Sequence, residues 1–307
     1  MKMAVQATNI ANVIVARPVL GAAAILLNTL IIPFMGVIIK ELTKLDVGTL
    51  EMLAMRSWIT LGLLLPLLFF YNNFRAVKTA DIKAHAVHAS FAIITMACFY
   101  YALRTLPIVT VTAINFTTPI FALIFARVLF GERVAPLGWL AMLIGFGGTL
   151  VVLRPDVSGI EPASLVVLFG SLTGACMNLA VRRMPARSTN YAVLFYFSLG
   201  GAIIYGAVGA PVMTTPQPQE WILFIALAAI ALAVHTCTTV AYRVASSMLI
   251  GALDYVRIIW AVLIGYIFLA EVPELLDGVG VTLIVLSGVI VLRLNVAKRP
   301  PRVQQTM

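Results

Sequence analysis

Charge is scarce in this chain. Only 11% of its 307 residues are Asp, Glu, Lys or Arg, against about 25% in an ordinary soluble protein. With 62% apolar residues, no soluble core is large enough to hide the remainder. Cysteine is equally sparse: Cys98, Cys176 and Cys237 each lie within an apolar run, so neither a disulfide framework nor a metal-ligand spacing is present. Of the three histidines, His85, His88 and His235, none belongs to an HExxH motif, and no GxSxG or facing aspartate pair occurs. The sequence thus offers no catalytic residue, metal site or cofactor site and excludes an intramembrane enzyme. The net charge of +9 comes without an aromatic and basic groove or zinc spacing, which excludes nucleic acid as a partner.

What the chain has in quantity is apolar length. A bilayer core of about 30 Å needs roughly 20 apolar residues per helix. Ten such spans are expected, near 19–39, 48–71, 84–103, 107–130, 135–153, 163–181, 191–211, 220–242, 246–270 and 274–292. Short segments marked by proline, glycine or charge separate them. Pro107, Pro136 and Pro162 stand where helices begin, and Ser188, Thr189 and Asn190 form a capping cluster. The first run is read as an uncleaved membrane helix, because the polar start before it has no small-residue cleavage site. With the N-terminus inside, inner segments carry 14 of the lysines and arginines and outer segments 4, with Arg56, Arg127 and Arg257 inside spans. The imbalance predicts a multi-pass protein of the cytoplasmic (inner) membrane with both termini cytoplasmic. On this reading the basic tail, 294–307, is a positive-inside anchor.

The chain also repeats itself. An offset of 139 places Ala102, Arg104, Ala113, Ala122 and Glu132 on Ala241, Arg243, Ala252, Ala261 and Glu271, and Val152, Leu153 and Arg154 on Val291, Leu292 and Arg293. Five spans per copy is an odd number, so the second copy re-enters the membrane from the opposite side. The expected fold class is all-α integral membrane, with two inverted five-helix repeats, 19–153 and 163–293, around a central cavity, as in secondary transporters.

Asp254 and Arg257, in the stretch LDYVRIIWA, sit at mid-depth in the ninth span. A charge there costs about 2.5 to 3.5 kcal/mol on insertion scales, so it faces an interior or a wet cavity. Residues three apart share a helical face. Two readings stay open: a structural ion pair, or a cavity wall in which Arg257 attracts an anionic or carbonyl group and Asp254 an amine or proton. The same offset lays Asp254 on Asn115 and Tyr255 on Phe116. Arg56, deep in the second span, is a further cavity candidate, and Tyr255, Trp260, Tyr101 and Phe116 are candidate stacking walls for a planar solute. Pro119 breaks the fourth span beside Thr118, making these two a gate or kink. Pro33 and Pro66 are expected to make similar breaks. Arg127 is read as snorkelling to the cytoplasmic face, and Asn178 and His235 as satisfied by hydrogen bonds between helices. Glu132 and Glu271 are expected to cap the helices that follow them.

The segments TTPIFALIFARVLFGER, GWLAMLIGFGGTLVVLRP and YVRIIWAVLIGYIFLAEVPELLDGVGVTLIVLSGVIVLR resemble the EamA-type drug/metabolite transporters. The resemblance spans about residues 20–293, with Ala270 in place of the usual glycine before Glu271. It implies ten helices in two inverted halves and carriage of a small metabolite. The YVRIIWA and ALRTLP stretches are nearest to bacterial members linked to riboflavin or S-adenosylmethionine uptake. The expected function is a secondary transporter moving a small polar metabolite by alternating access: riboflavin, S-adenosylmethionine or an amino-acid-like solute. The alternatives are an amine or drug exporter of the same fold and a non-transporting receptor, for which the loops are too short to present a partner surface. Partners are the small-molecule substrate and the lipid bilayer, with a monomer and a homodimer both open. The pairing of Asp254 with Arg257 favours exchange or facilitated movement over carriage of a proton.

Overall fold

The computed structural model describes residues 18–70, 77–79, 81–130, 136–153, 161–184, 188–245, 247–270 and 275–297. Every regular element among them is helical. In chain order they are α1 (Pro18–Lys44), α2 (Thr49–Phe70), α3 (Ile82–Thr105), α4 (Ile108–Asn115), α5 (Thr117–Phe130), α6 (Pro136–Leu153), α7 (Pro162–Arg183), α8 (Asn190–Gly209), α9 (Pro218–Val244), α10 (Ser247–Asp254), α11 (Arg257–Leu269) and α12 (Leu275–Ala297), with a 3-10 turn at Ala210–Val212. Seven stretches are long and apolar enough to cross a bilayer, and Pro136–Gly148, Arg257–Leu269 and Gly278–Ile290 are shorter apolar helices. Helix starts follow local chemistry: the Asp81 carboxylate accepts from the Ala84 amide at 3.0 Å and the Thr189 hydroxyl oxygen from the Ala192 amide at 3.1 Å, each satisfying an N–H that the first turn leaves free. Glu132, Glu271 and nearly all of the basic tail lie outside the described residues.

Polarity runs opposite to that of a soluble protein. Phe69, Phe70, Leu143, Ile267 and Leu275 are more than half exposed, whereas Arg56, Glu51, His85, Asn28, Asp254 and Arg257 are buried. Hydrocarbon solvates the first group and cannot solvate the second, so a multi-pass membrane protein sorts its side chains this way.

Neighbours exchange in pairs when the two halves are interchanged. Helix α1 packs on α9 as α7 packs on α3; α5 lies on α7 as α11 lies on α1; α2 meets its counterpart α8, and α6 meets α12. Gly148 permits the last of these contacts, since a Cβ there would stand 2.7 Å from the Gly280 carbonyl oxygen. The halves are therefore intertwined, each completing the other's core.

The fourth and ninth spans, expected to be continuous apart from a kink at Pro119, are each two helices. One breaks at Phe116 and the other at Tyr255 and Val256, and 116 plus 139 is 255. Around the second break the amides of Val256, Ile258 and Ile259 reach back three residues, to Leu253, Tyr255 and Val256, at 3.1 to 3.2 Å. Such tighter turns keep the backbone paired where the α pattern stops. At the first break the Thr117 hydroxyl donates to the Ile114 carbonyl at 2.8 Å. Pro33 and Pro66, by contrast, lie inside the unbroken helices α1 and α2. Expecting breaks there was incorrect; neighbouring helices absorb the missing amide of an isolated proline.

Ala270 caps α11 with φ 55° and ψ 27°, the left-handed conformation that glycine adopts without steric penalty. The usual glycine is therefore a backbone requirement and not merely a small residue, and alanine carries a strain of about 1 kcal/mol here. Ala270→Gly is expected to raise the thermal unfolding midpoint of detergent-purified protein by a few degrees. No change, or a fall, would show that the cap is relaxed.

Candidate functional site

A cavity of about 150 Å³ lies between the halves, lined from α1, α3, α4, α7 and α9 and by Thr118, Asp254 and Arg257. Its walls obey the repeat. Thr95, Met96, Phe99, Leu103, Asn115 and Thr118 line one side, and Val234, His235, Thr238, Tyr242, Asp254 and Arg257 the other; each residue of the second set is the first plus 139. Two chemically different sequences thus present matching positions to one space.

The polar centre is where the broken helices meet. Arg257 Nη2 pairs with Asp254 Oδ2 across the α10–α11 break, and at the equivalent place in the first half the Thr118 hydroxyl hydrogen-bonds Asn115 Oδ1 at 3.1 Å. One geometry, a polar bridge over the interruption, is built once with charges and once without. The pair does not exhaust its valence. Asp254 Oδ1 and Arg257 Nε have no partner, with side chains 11% and 10% exposed.

Four predicted residues, Asn115, Thr118, Asp254 and Arg257, come together on the cavity wall. Phe116 and Tyr255, the residues at the two breaks, do not line it. Their rings pack against each other, tilted by 59° with centroids 5.1 Å apart, within a cluster with Leu123, Met142, Ile258 and Ile284. The Arg257 guanidinium carbon lies 5.7 Å from the Phe116 ring centroid, so the aromatics support the ion pair from behind. Pro119 opens the first turn of α5 and packs against Gly251 of the other half, where a Cβ would come within 3.0 Å of it. Trp260 is half-buried and Arg56 fully buried; neither belongs to the lining. Tyr101 is 47% exposed on the outer surface, so the expectation of a cavity role for it is corrected. Its neighbour Tyr100 lines the cavity instead, because one residue along a helix is a turn of about 100°. Arg127 is exposed.

Sequence reasoning also passed over His235 and Asn178 as satisfied hydrogen-bonding residues. Both line the cavity, and His235 Nε2 and Asn178 Oδ1 have no partner. Asn28 is satisfied: its amide donates to the Val234 carbonyl at 3.0 Å and to the Thr238 hydroxyl at 2.9 Å, tying α1 to α9. Applying the offset to the third span would have found His235 and Thr238 opposite Met96 and Phe99. Among the described residues no cluster of His, Cys, Asp or Glu could hold a metal ion.

Comparison with known proteins decides the class. The EamA-like transporter family matches residues 19–154 and again 159–293. The chain belongs to that family. It is 23% identical over 255 residues to the pseudopaline exporter CntI of Pseudomonas aeruginosa, covering 82% of this chain and 89% of that one. It is 25% identical over 241 residues to the riboflavin transporter of Brucella anthropi, covering 76% and 84%. With the S-adenosylmethionine uptake transporter of Rickettsia prowazekii it shares 21% over 224 residues, covering 73% and 76%. One crystal structure, 18% identical, shares the fold with a TM-score of 0.65, covering 88% of this chain and 99% of that one. The EamA-like family and these named relatives are transporters, not enzymes.

A partly desolvated ion pair costs more to break than to replace whole. Asp254→Asn is expected to destabilise the purified protein by about 3 kcal/mol, and the double change Asp254→Asn with Arg257→Met by much less than the sum of the singles. Thermal unfolding midpoints of the four proteins measure this. Additive losses would show that the two side chains do not neutralise each other.

Proposed function

We propose that this EamA-like protein is a secondary carrier that binds a small polar metabolite in the cavity between its halves and releases it on the other side by alternating access. The observation that carries this reading is the row of matching positions that line one cavity from both halves. A carrier with exchangeable halves uses the same elements to open each way. On this reading the ten spans form two five-helix units, 19–153 and 163–293, of opposite orientation, in the inner membrane with both termini cytoplasmic. The shorter apolar helices are then the spans that complete the count.

Ties between the halves at both ends fit such a cycle. Ser188 and His85 Nε2 are joined at 2.7 Å at one end, where the Arg243 guanidinium of the same half as Ser188 donates to the Ser188 carbonyl at 2.6 Å and fixes it. At the other end Glu51 Oε1 accepts from the Thr214 amide at 3.1 Å and hydroxyl at 2.8 Å. The cargo is bound by Asp254, Arg257, Asn115 and Thr118, with Tyr100 and His235 added. A cavity near 150 Å³ takes a molecule of about benzene's bulk, so an amino-acid-like solute fits this state as it stands. Riboflavin or S-adenosylmethionine requires a wider opening. The exporter among the relatives supports the alternative of outward movement.

Purified protein in liposomes is expected to move at least one of a labelled panel of amino acids, riboflavin and S-adenosylmethionine, and Asp254→Asn or Arg257→Ala to lower that flux tenfold or more while the protein stays folded. Normal flux in both folded variants would remove the pair from the mechanism. Protease cleavage of terminal tags in vesicles of known sidedness tests the threading, and termini on opposite faces would overturn the ten-span arrangement.

A further inference from the structure

Arg56 is the most deeply buried cation among the described residues, 1% exposed, in the middle of α2. Neither its Nε nor its Nη2 has a hydrogen-bond partner. Among the described residues no carboxylate answers it: Glu51, on the same helix, is engaged by Thr214, and Asp254 by Arg257. Two rings take the place of a counter-ion, with the guanidinium carbon 5.5 Å from the Phe197 centroid and 5.9 Å from that of Tyr100. Cation–π contacts return less than a guanidinium loses on leaving water.

Tyr100 and His235 belong at once to the cavity wall and to this pocket. Both line the cavity, and the His235 ring lies 4.2 Å from that of Phe197. The Tyr100 hydroxyl and His235 Nε2 are buried without partners. Each unmet group here, two guanidinium N–H nitrogens, a phenol and an imidazole nitrogen, is able to donate a hydrogen bond. A carboxylate is the complementary group: it only accepts, lies flat against a guanidinium fork, and brings the single negative charge that one arginine neutralises. A phosphate would bring nearly two.

Resting on the carrier reading above, we infer that Arg56, with Tyr100 and His235, is a subsite for the carboxylate of the cargo, reached when the Tyr100 side chain turns aside. Asp254, with Oδ1 free on the same cavity, then takes the opposite pole, an ammonium. The cargo class is an amino-acid-like zwitterion or a compact carboxylate.

The probe is benzoate, whose ring matches the cavity, set against its neutral counterpart benzamide. Millimolar benzoate should raise the unfolding midpoint of the wild-type protein in detergent by about 3 °C or more, as a ligand of the native state does; benzamide should not. Arg56→Gln should abolish the benzoate shift, Tyr100→Phe should reduce it, and Arg127→Gln, at an exposed position away from the cavity, should retain it. No shift in wild type, an equal shift with benzamide, or a shift that survives Arg56→Gln would overturn the subsite. If Arg56→Gln does not fold, Tyr100→Phe decides, and an undiminished shift there overturns it. Absence of any flux in liposomes would sink the carrier reading while leaving the binding result intact; flux of neutral solutes without a preference for benzoate would sink the subsite alone.

Discussion

Hydrocarbon offers no hydrogen bonds, so each polar group carried into the membrane must find its partner inside the protein or in something the protein admits. The two interrupted helices are the sharpest consequence. A helix that stops at mid-depth releases backbone donors and acceptors where water is absent, and the chain meets the cost locally. Three-residue turns close the α10–α11 junction and the Thr117 hydroxyl takes a freed carbonyl at the α4–α5 junction. What is left over at the two junctions is side-chain polarity, and it is aimed at one cavity.

Duplication explains the frame, and divergence explains the chemistry. The breaks fall at equivalent positions, and the bridge over each joins residues three apart, Asn115 to Thr118 and Asp254 to Arg257. The first copy keeps neutral groups and the second carries full charges. A charge pair in both copies would place two symmetry-related dipoles in one small volume. Charges in one copy leave a single polar direction across the cavity, which suits a solute with distinguishable ends. Phe116 and Tyr255 pack against each other behind the bridges, so the backbone near the pair is held by packing and not by the cargo.

The spans and the repeat were legible because apolar length and turn chemistry are local properties: nearly all helix boundaries fall within a few residues of those expected. The charged pair was legible because ions in a membrane span have few places to go. Facing was not. Tyr100 and Tyr101 are chemically identical in the sequence, and only the rotational setting of α3, fixed by its packing on α7, sends one into the cavity and the other outward. His235 and Asn178 were misread because whether a polar residue is satisfied depends on what a distant helix presents. The conformational role of Ala270 could not be seen either, since composition records its size but not the sign of φ.

The charges also bear on how the empty carrier moves. Arg257 is offset by Asp254, whereas the groups that face Arg56 among the described residues are the rings of Phe197 and Tyr100. Reorienting the halves with an unneutralised guanidinium inside drags a poorly solvated cation through each intermediate arrangement of the helices, and the cost is highest where the pocket is driest. A bound carboxylate removes that cost by supplying the missing charge from the cargo. On the carrier reading proposed above, loaded protein would reorient more readily than empty protein, which is the kinetic condition for exchange of one solute for another. Under the proposed carboxylate subsite, Arg56 would serve coupling as well as recognition, a role that a neutral side chain of equal size would not supply.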